Sequence, residues 1–117
     1  MRIFLIRHGH AYASLTEEGK DQIARTADFL KSLVLDVSNT VLLTSETKRA
    51  VESAKIIQQA LGLTTISQVS WLTSNTSDRP LKSLERFATA HAKLDGIIAV
   101  SHMYEIEHIL YGVHART

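Results

Sequence analysis

The chain has 117 residues, 44% of them hydrophobic and 21% charged, the balance of one ordinary globular domain spanning residues 1–117. Thirteen Lys and Arg against twelve Asp and Glu give a net charge of +1 with the two signs interspersed, which argues against a nucleic-acid surface. The absence of cysteine removes disulfides, thiolate metal sites and cysteine nucleophiles, and no apolar run nears the ~20 residues that cross a bilayer, so a cytoplasmic protein without membrane contact is expected.

Ile3-Phe4-Leu5-Ile6 is continuously apolar, too short for the core of a signal peptide and typical of a strand covered on both faces; Arg2–Ile6 is expected as a central strand. Arg7-His8-Gly9 stands at its end. From Thr16 to Leu33, Ile23, Ala27, Leu30 and Leu33 recur at helical spacing, with Thr16 as N-cap and Glu17 and Glu18 facing the positive end of the helix dipole. Thr40–Thr44 predicts a second strand. Thr47–Leu61 predicts a second helix with Ala50, Ala54, Ile57 and Leu61 on one stripe, stopped by Gly62.

Thr65–Val69 reads as a short edge strand and Thr73–Arg79 as a polar loop. Pro80 opens a third helix running to about Leu94, with Leu84, Phe87, Ala88 and His91 on one side. Ile97–Val100 is another buried strand, ended by Ser101-His102, and Tyr104–Leu110 a last helix. Strands alternating with helices predict an α/β fold: three layers, an open, mostly parallel sheet with helices on both faces.

In such a sheet, ligands bind at the carboxyl ends of the strands. Three of those ends carry Arg7-His8, the Ser45–Arg49 segment and His102. An unprotonated ring nitrogen on His8 could attack phosphorus, while Arg7 and Arg49 offer planar donor forks to phosphate oxygens. Clustered guanidinium groups would also disfavour an imidazolium at His8. His102 can add a hydrogen bond, and a charge if protonated.

The chain resembles the histidine phosphatase superfamily, the branch that includes phosphoglycerate mutases and acid phosphatases. Arg7-His8-Gly9 matches its signature tripeptide and Leu15-Thr16-Glu17-Glu18-Gly19 its Leu-Thr-x-x-Gly helix start. Ser45-x-x-x-Arg49-Ala50-x-x-Ser53-Ala54 matches its second signature and Ser101-His102 its third. The resemblance implies a phosphoglycerate mutase-like fold and a phosphatase acting without metal or other cofactor. It further implies transient phosphorylation of His8, with Arg7, Arg49 and His102 forming the phosphate pocket. The short length makes the chain most similar to SixA-type phosphohistidine phosphatases, so a phosphorylated small molecule or a phosphohistidine protein is the expected partner.

The chain departs from the family pattern in three places. Only His10-Ala11-Tyr12-Ala13-Ser14 joins Gly9 to Leu15, a shorter connection than usual, and the arginine often found before Leu-Thr is absent. Many relatives place a glutamate after the edge strand as acid for the leaving oxygen, whereas Val69-Ser70-Trp71-Leu72-Thr73 has no carboxylate, and the nearest, Asp78, reads as a solvated loop residue. That absence handicaps an alkyl phosphate more than a phosphohistidine, whose imidazole can leave already protonated. Relatives also generally continue into another strand, so the resemblance implies a minimal or C-terminally truncated fold, whose bare sheet edge invites a homodimer.

Two alternatives stand beside this reading. His8-Gly9-His10, with Glu105 and His108 at i, i+3 spacing, could serve a metal-dependent hydrolase, although the Arg7 guanidinium would repel a divalent cation. A degenerate domain that binds phosphorylated ligands without turnover is the other.

Overall fold

The apolar runs form strands and the segments of helical period lie between them. In chain order they are β1 (Arg2–Arg7), α1 (Glu17–Leu33), β2 (Thr40–Thr44), α2 (Lys48–Leu61), β3 (Ile66–Gln68), α3 (Pro80–Ala90), β4 (Gly96–Ser101) and α4 (Met103–His114). The structure is a computed structural model and describes residues 1–34, 36–73 and 79–114. Asp78 and most of the expected Thr73–Arg79 loop lie outside the described residues.

The strands pair in the order β1-β4-β2-β3, and all three pairings are parallel. Parallel neighbours need crossover connections, and the helices supply them on both faces. Because side chains alternate along a strand, Phe4, Ile6, Leu42, Ile98 and Val100 pack with Ile23, Ala27 and Leu30 of α1 and Ala50, Ala54 and Ile57 of α2. Leu5, Leu43, Ile97 and Ala99 pack on the other face with Leu81 and Leu84 of α3 and Ile109 of α4. Fully buried side chains such as Leu42, Ile57 and Ile98 each contribute about 1.5–3 kcal/mol by leaving water. The expected three-layer α/β architecture is what forms.

β1 does not lie in the centre as its sequence suggests: it is an edge strand, and Ile3 is 41% exposed. An uninterrupted apolar run reports helices above and below the strand, and an edge strand can be covered that way too. β4 is the strand buried along its whole length, and with β2 it forms the interior of the sheet. Among the described residues, the outer strands of the sheet are β1 and β3.

The helix ends follow local chemistry. The Thr16 hydroxyl accepts from the Gly19 N–H at 3.0 Å to cap α1, and Gly62, at φ 74°, closes α2 in the left-handed conformation. α3 ends at Ala90 and not near Leu94, because the His91 ring turns back, donating from Nδ1 to the Phe87 carbonyl at 2.9 Å and stacking on the Phe87 ring. His91 is thus exposed instead of joining the apolar side. α4 is longer than expected at both ends.

Register aligns the strand ends that matter. Arg7 pairs with Ser101 and Thr44 with Val100, so the residues after β1, β2 and β4 emerge side by side at the carboxyl edge. The His8 N–H donates to the Ser101 carbonyl at 3.1 Å and the Ser45 N–H to the Val100 carbonyl at 3.0 Å, extending the ladder one residue into each loop. The Ser101 hydroxyl donates to the Leu72 carbonyl at 2.6 Å and pins the turn after β3 beside them.

Candidate active site

His8 is half-buried just beyond β1. Its Nδ1 lies 2.8 Å from the Gly9 carbonyl oxygen, which can only accept, so Nδ1 carries the proton and Nε2 keeps its lone pair. The Nε–H of Arg49, from the first turn of α2, donates to that Nε2 at 3.3 Å. Burial pushes the His8 pKa down, the Arg49 and Arg7 charges push it further, and the bond to the Gly9 carbonyl opposes them. The neutrality expected from the guanidinium cluster is thus set first by desolvation and second by charge.

His102 follows β4 and is buried, with its ring 5.0 Å from that of His8 in an edge arrangement. Its Nε2 meets the Ser45 hydroxyl at 2.9 Å and the Thr47 hydroxyl at 3.4 Å, both on the loop between β2 and α2. Burial, then the His8 and Arg49 charges, lower its pKa from 6.5 to about 4. The ring is therefore neutral at neutral pH and acts first as a hydrogen-bonding group, not as a standing charge.

That shift makes stability depend on pH. Between about 4 and 6.5 the unfolded chain holds a proton on this ring that the folded chain refuses. The contribution is therefore complete above 6.5 and lost as pH falls toward 4, at a total of about 3 kcal/mol. Denaturant titrations between pH 7.5 and 4.5 are expected to show a steeper loss in the native chain than in a His102→Asn variant. Equal slopes would contradict a buried neutral ring.

Arg7 is exposed at the end of β1 and lines, with His8, Gly9, His10, Ala11 and Gln22, an open hollow of about 240 Å³. Arg49 and His102 do not line it. The four residues singled out from the sequence are therefore linked through His8: Arg49 and His102 gather at its ring, and Arg7 shares its hollow.

Several residues hold this arrangement that the motifs alone do not explain. The buried Ser53 hydroxyl accepts from the Gly9 N–H at 3.1 Å and donates to the Arg49 carbonyl at 2.8 Å, tying the two signatures together. Glu52 accepts from the Leu15 N–H at 3.1 Å, and Gln22 accepts from the His10 N–H at 2.8 Å. The short loop after Gly9 thus closes on itself through an Ala11–Leu15 bridge and is anchored to both α1 and α2. Gly9 and Gly19 pack backbone against backbone, leaving no room for a β-carbon on either. Ser53 and Gly19 stand in the matched motifs, which was a usable signal; nothing in the sequence pattern marks Gln22 or Glu52.

The elements of the metal alternative do not converge. Glu105 is buried in α4, whereas His108 is exposed beside Tyr104. Among the described residues, no three His, Cys, Asp or Glu side chains gather as a metal site.

Residues 3–73 match the family model of the histidine phosphatase superfamily (branch 1). No curated protein matches the chain. Among solved structures, the chain is similar to the protein histidine phosphatase SixA complexed with tungstate, with a TM-score of 0.78 and 22% identity over 92% of this chain and 73% of that one. It is similar to a phosphoserine phosphatase variant from Entamoeba histolytica in complex with phosphoserine, with a TM-score of 0.77 and 15% identity over 98% and 81%. It is also similar to phosphoglycerate mutase from Plasmodium falciparum, with a TM-score of 0.70 and 23% identity over 93% and 66%. These likenesses carry the fold.

Proposed function

Because the chain belongs to the histidine phosphatase superfamily, we propose that it hydrolyses a phosphomonoester or phosphohistidine through a phosphohistidine intermediate on His8, without a metal ion. The observation that carries this reading is the His8 ring itself. Its Nδ1 proton is engaged by the Gly9 carbonyl, which leaves Nε2 unprotonated, and the Arg49 Nε–H now donating to that Nε2 is placed to turn to a phosphoryl oxygen as the lone pair attacks.

In the first half-reaction Nε2 attacks phosphorus and the leaving group departs with the bonding electron pair. Negative charge on the phosphoryl oxygens is met by Arg49, Arg7 and the His102 ring. The Ser45 and Thr47 hydroxyls hold that ring in place. In the second half-reaction a water oxygen attacks phosphorus, the N–P bond breaks with its electron pair returning to His8 Nε2, and inorganic phosphate leaves. Arginines stand here where a metal would otherwise neutralise charge.

The likeness to a protein histidine phosphatase makes a phosphohistidine protein one substrate to test, with an aryl phosphate as a generic one. Release of inorganic phosphate from both, undiminished by a chelator, is the expected result. Binding without release would favour the phospho-ligand module, and loss on chelation would remove the metal-independent mechanism.

A further inference from the structure

We propose that His10 is a further catalytic residue, handing a proton to the departing group, and that the hollow beside His8 receives that group, which extends the substrate class to alkyl phosphomonoesters. This rests on the phosphatase reading above and addresses the acid that Val69–Thr73 does not supply.

His10 lines the same hollow as the nucleophile and Arg7. Although exposed, it is built in on two sides: its backbone N–H donates to Gln22 Oε1 at 2.8 Å, and its ring Nδ1 lies 2.8 Å from Thr16 Oγ1. The Thr16 hydroxyl already donates to the His10 carbonyl at 3.0 Å and accepts from the Gly19 N–H at 3.0 Å. Its one proton is therefore spent, so at this contact the His10 Nδ1–H is the donor. Nε2 is left without a protein partner among the described residues. An imidazole clamped at Nδ1 and open at Nε2, one residue removed from the nucleophile's neighbour Gly9, is arranged to carry a proton.

The chemistry balances. In the first step the His8 Nε2 electron pair forms the N–P bond while the P–O ester bond breaks. The ester oxygen keeps that electron pair and takes the proton from Nε2 of His10, which becomes neutral with its remaining proton on Nδ1 toward Thr16. In the second step a water oxygen attacks phosphorus and gives its proton to His10 Nε2, while the N–P electron pair returns to His8. The net reaction converts ester and water to alcohol and inorganic phosphate, and both imidazoles end as they began.

The test is kcat/KM for phosphate monoesters graded from nitrophenyl to simple alkyl, in the native chain and in His10→Gln. This ratio covers only the steps through phosphoryl transfer, so the second step does not enter it. The alkyl esters are expected to lose about 10²–10³-fold, while nitrophenyl phosphate, whose leaving group departs without a proton, stays within about threefold of the native value. A uniform loss across the series would assign His10 to holding the loop, and no loss anywhere would make it a bystander; either overturns the proposal. Should the Gln variant fail to fold, His10→Asn carries the same comparison. Turnover that requires His8 but ignores His10 would sink this inference alone, whereas absence of any His8-dependent turnover would remove the phosphatase reading with it.

Discussion

Replacing His8 by alanine is expected to abolish phosphate release, by on the order of 10³-fold or more in kcat, because it removes the atom that forms the covalent bond. The side chain is half-buried and its loss opens space beside Arg49, whose Nε–H then loses its partner. The fold should survive this change, since the backbone bond from His8 to the Ser101 carbonyl is independent of the ring. Retained binding of inorganic phosphate would accompany the loss of turnover, because the guanidinium groups remain. A variant that still hydrolyses aryl phosphate at a rate near the native one would show that another group is the nucleophile.

The second large effect concerns stability. Gly19 occupies the first turn of α1, where alanine would ordinarily favour the helix. Here a β-carbon would run into the backbone of His10, and one on Gly9 would run into the backbone of Gly19. Neither obstacle is a side chain that can rotate away. Gly19→Ala is therefore expected to cost about 3 kcal/mol, which for a domain of this size lowers Tm by about 10–15 °C. Gly62→Ala provides the contrast. Its φ of 74° strains any other residue, but no atom lies within 4 Å of the added carbon, so about 1 kcal/mol is expected. A Gly19→Ala protein as stable as the native one would mean that the loop carrying His10 does not rest on α1.

The sheet, the helices and their order were legible in the sequence because periodicity reports which faces are covered. The position of a strand within the sheet was not. Ile3 to Ile6 are apolar because helices flank them on both sides, and that pattern is silent about whether a neighbour stands on each edge. The end of α3 is hidden for a different reason: the His91 ring bonds the Phe87 carbonyl and closes the helix, a local choice that competes with an apolar spacing continuing to Leu94.

Within the candidate site, the titratable groups were legible from strand ends and motifs, but their states were not. His102 reads in sequence as a donor with an optional charge, whereas its burial and the hydroxyls of Ser45 and Thr47 make it a neutral, fixed ring. His10 reads as a loop residue because its anchors, Gln22 and Thr16, come from a helix start that only the folded loop brings near. Contacts from side chain to backbone leave no periodic trace.

In the proposed mechanism Arg7, His8, Arg49 and His102 serve one anion. A crystal structure of the protein with tungstate tests it most directly. The oxyanion is expected in front of His8 Nε2, within hydrogen-bond reach of both guanidinium groups and of the His102 ring. Tungstate bound elsewhere, or held at His8 with Arg7 or Arg49 turned away from it, would mean that these four residues do not form one phosphate pocket.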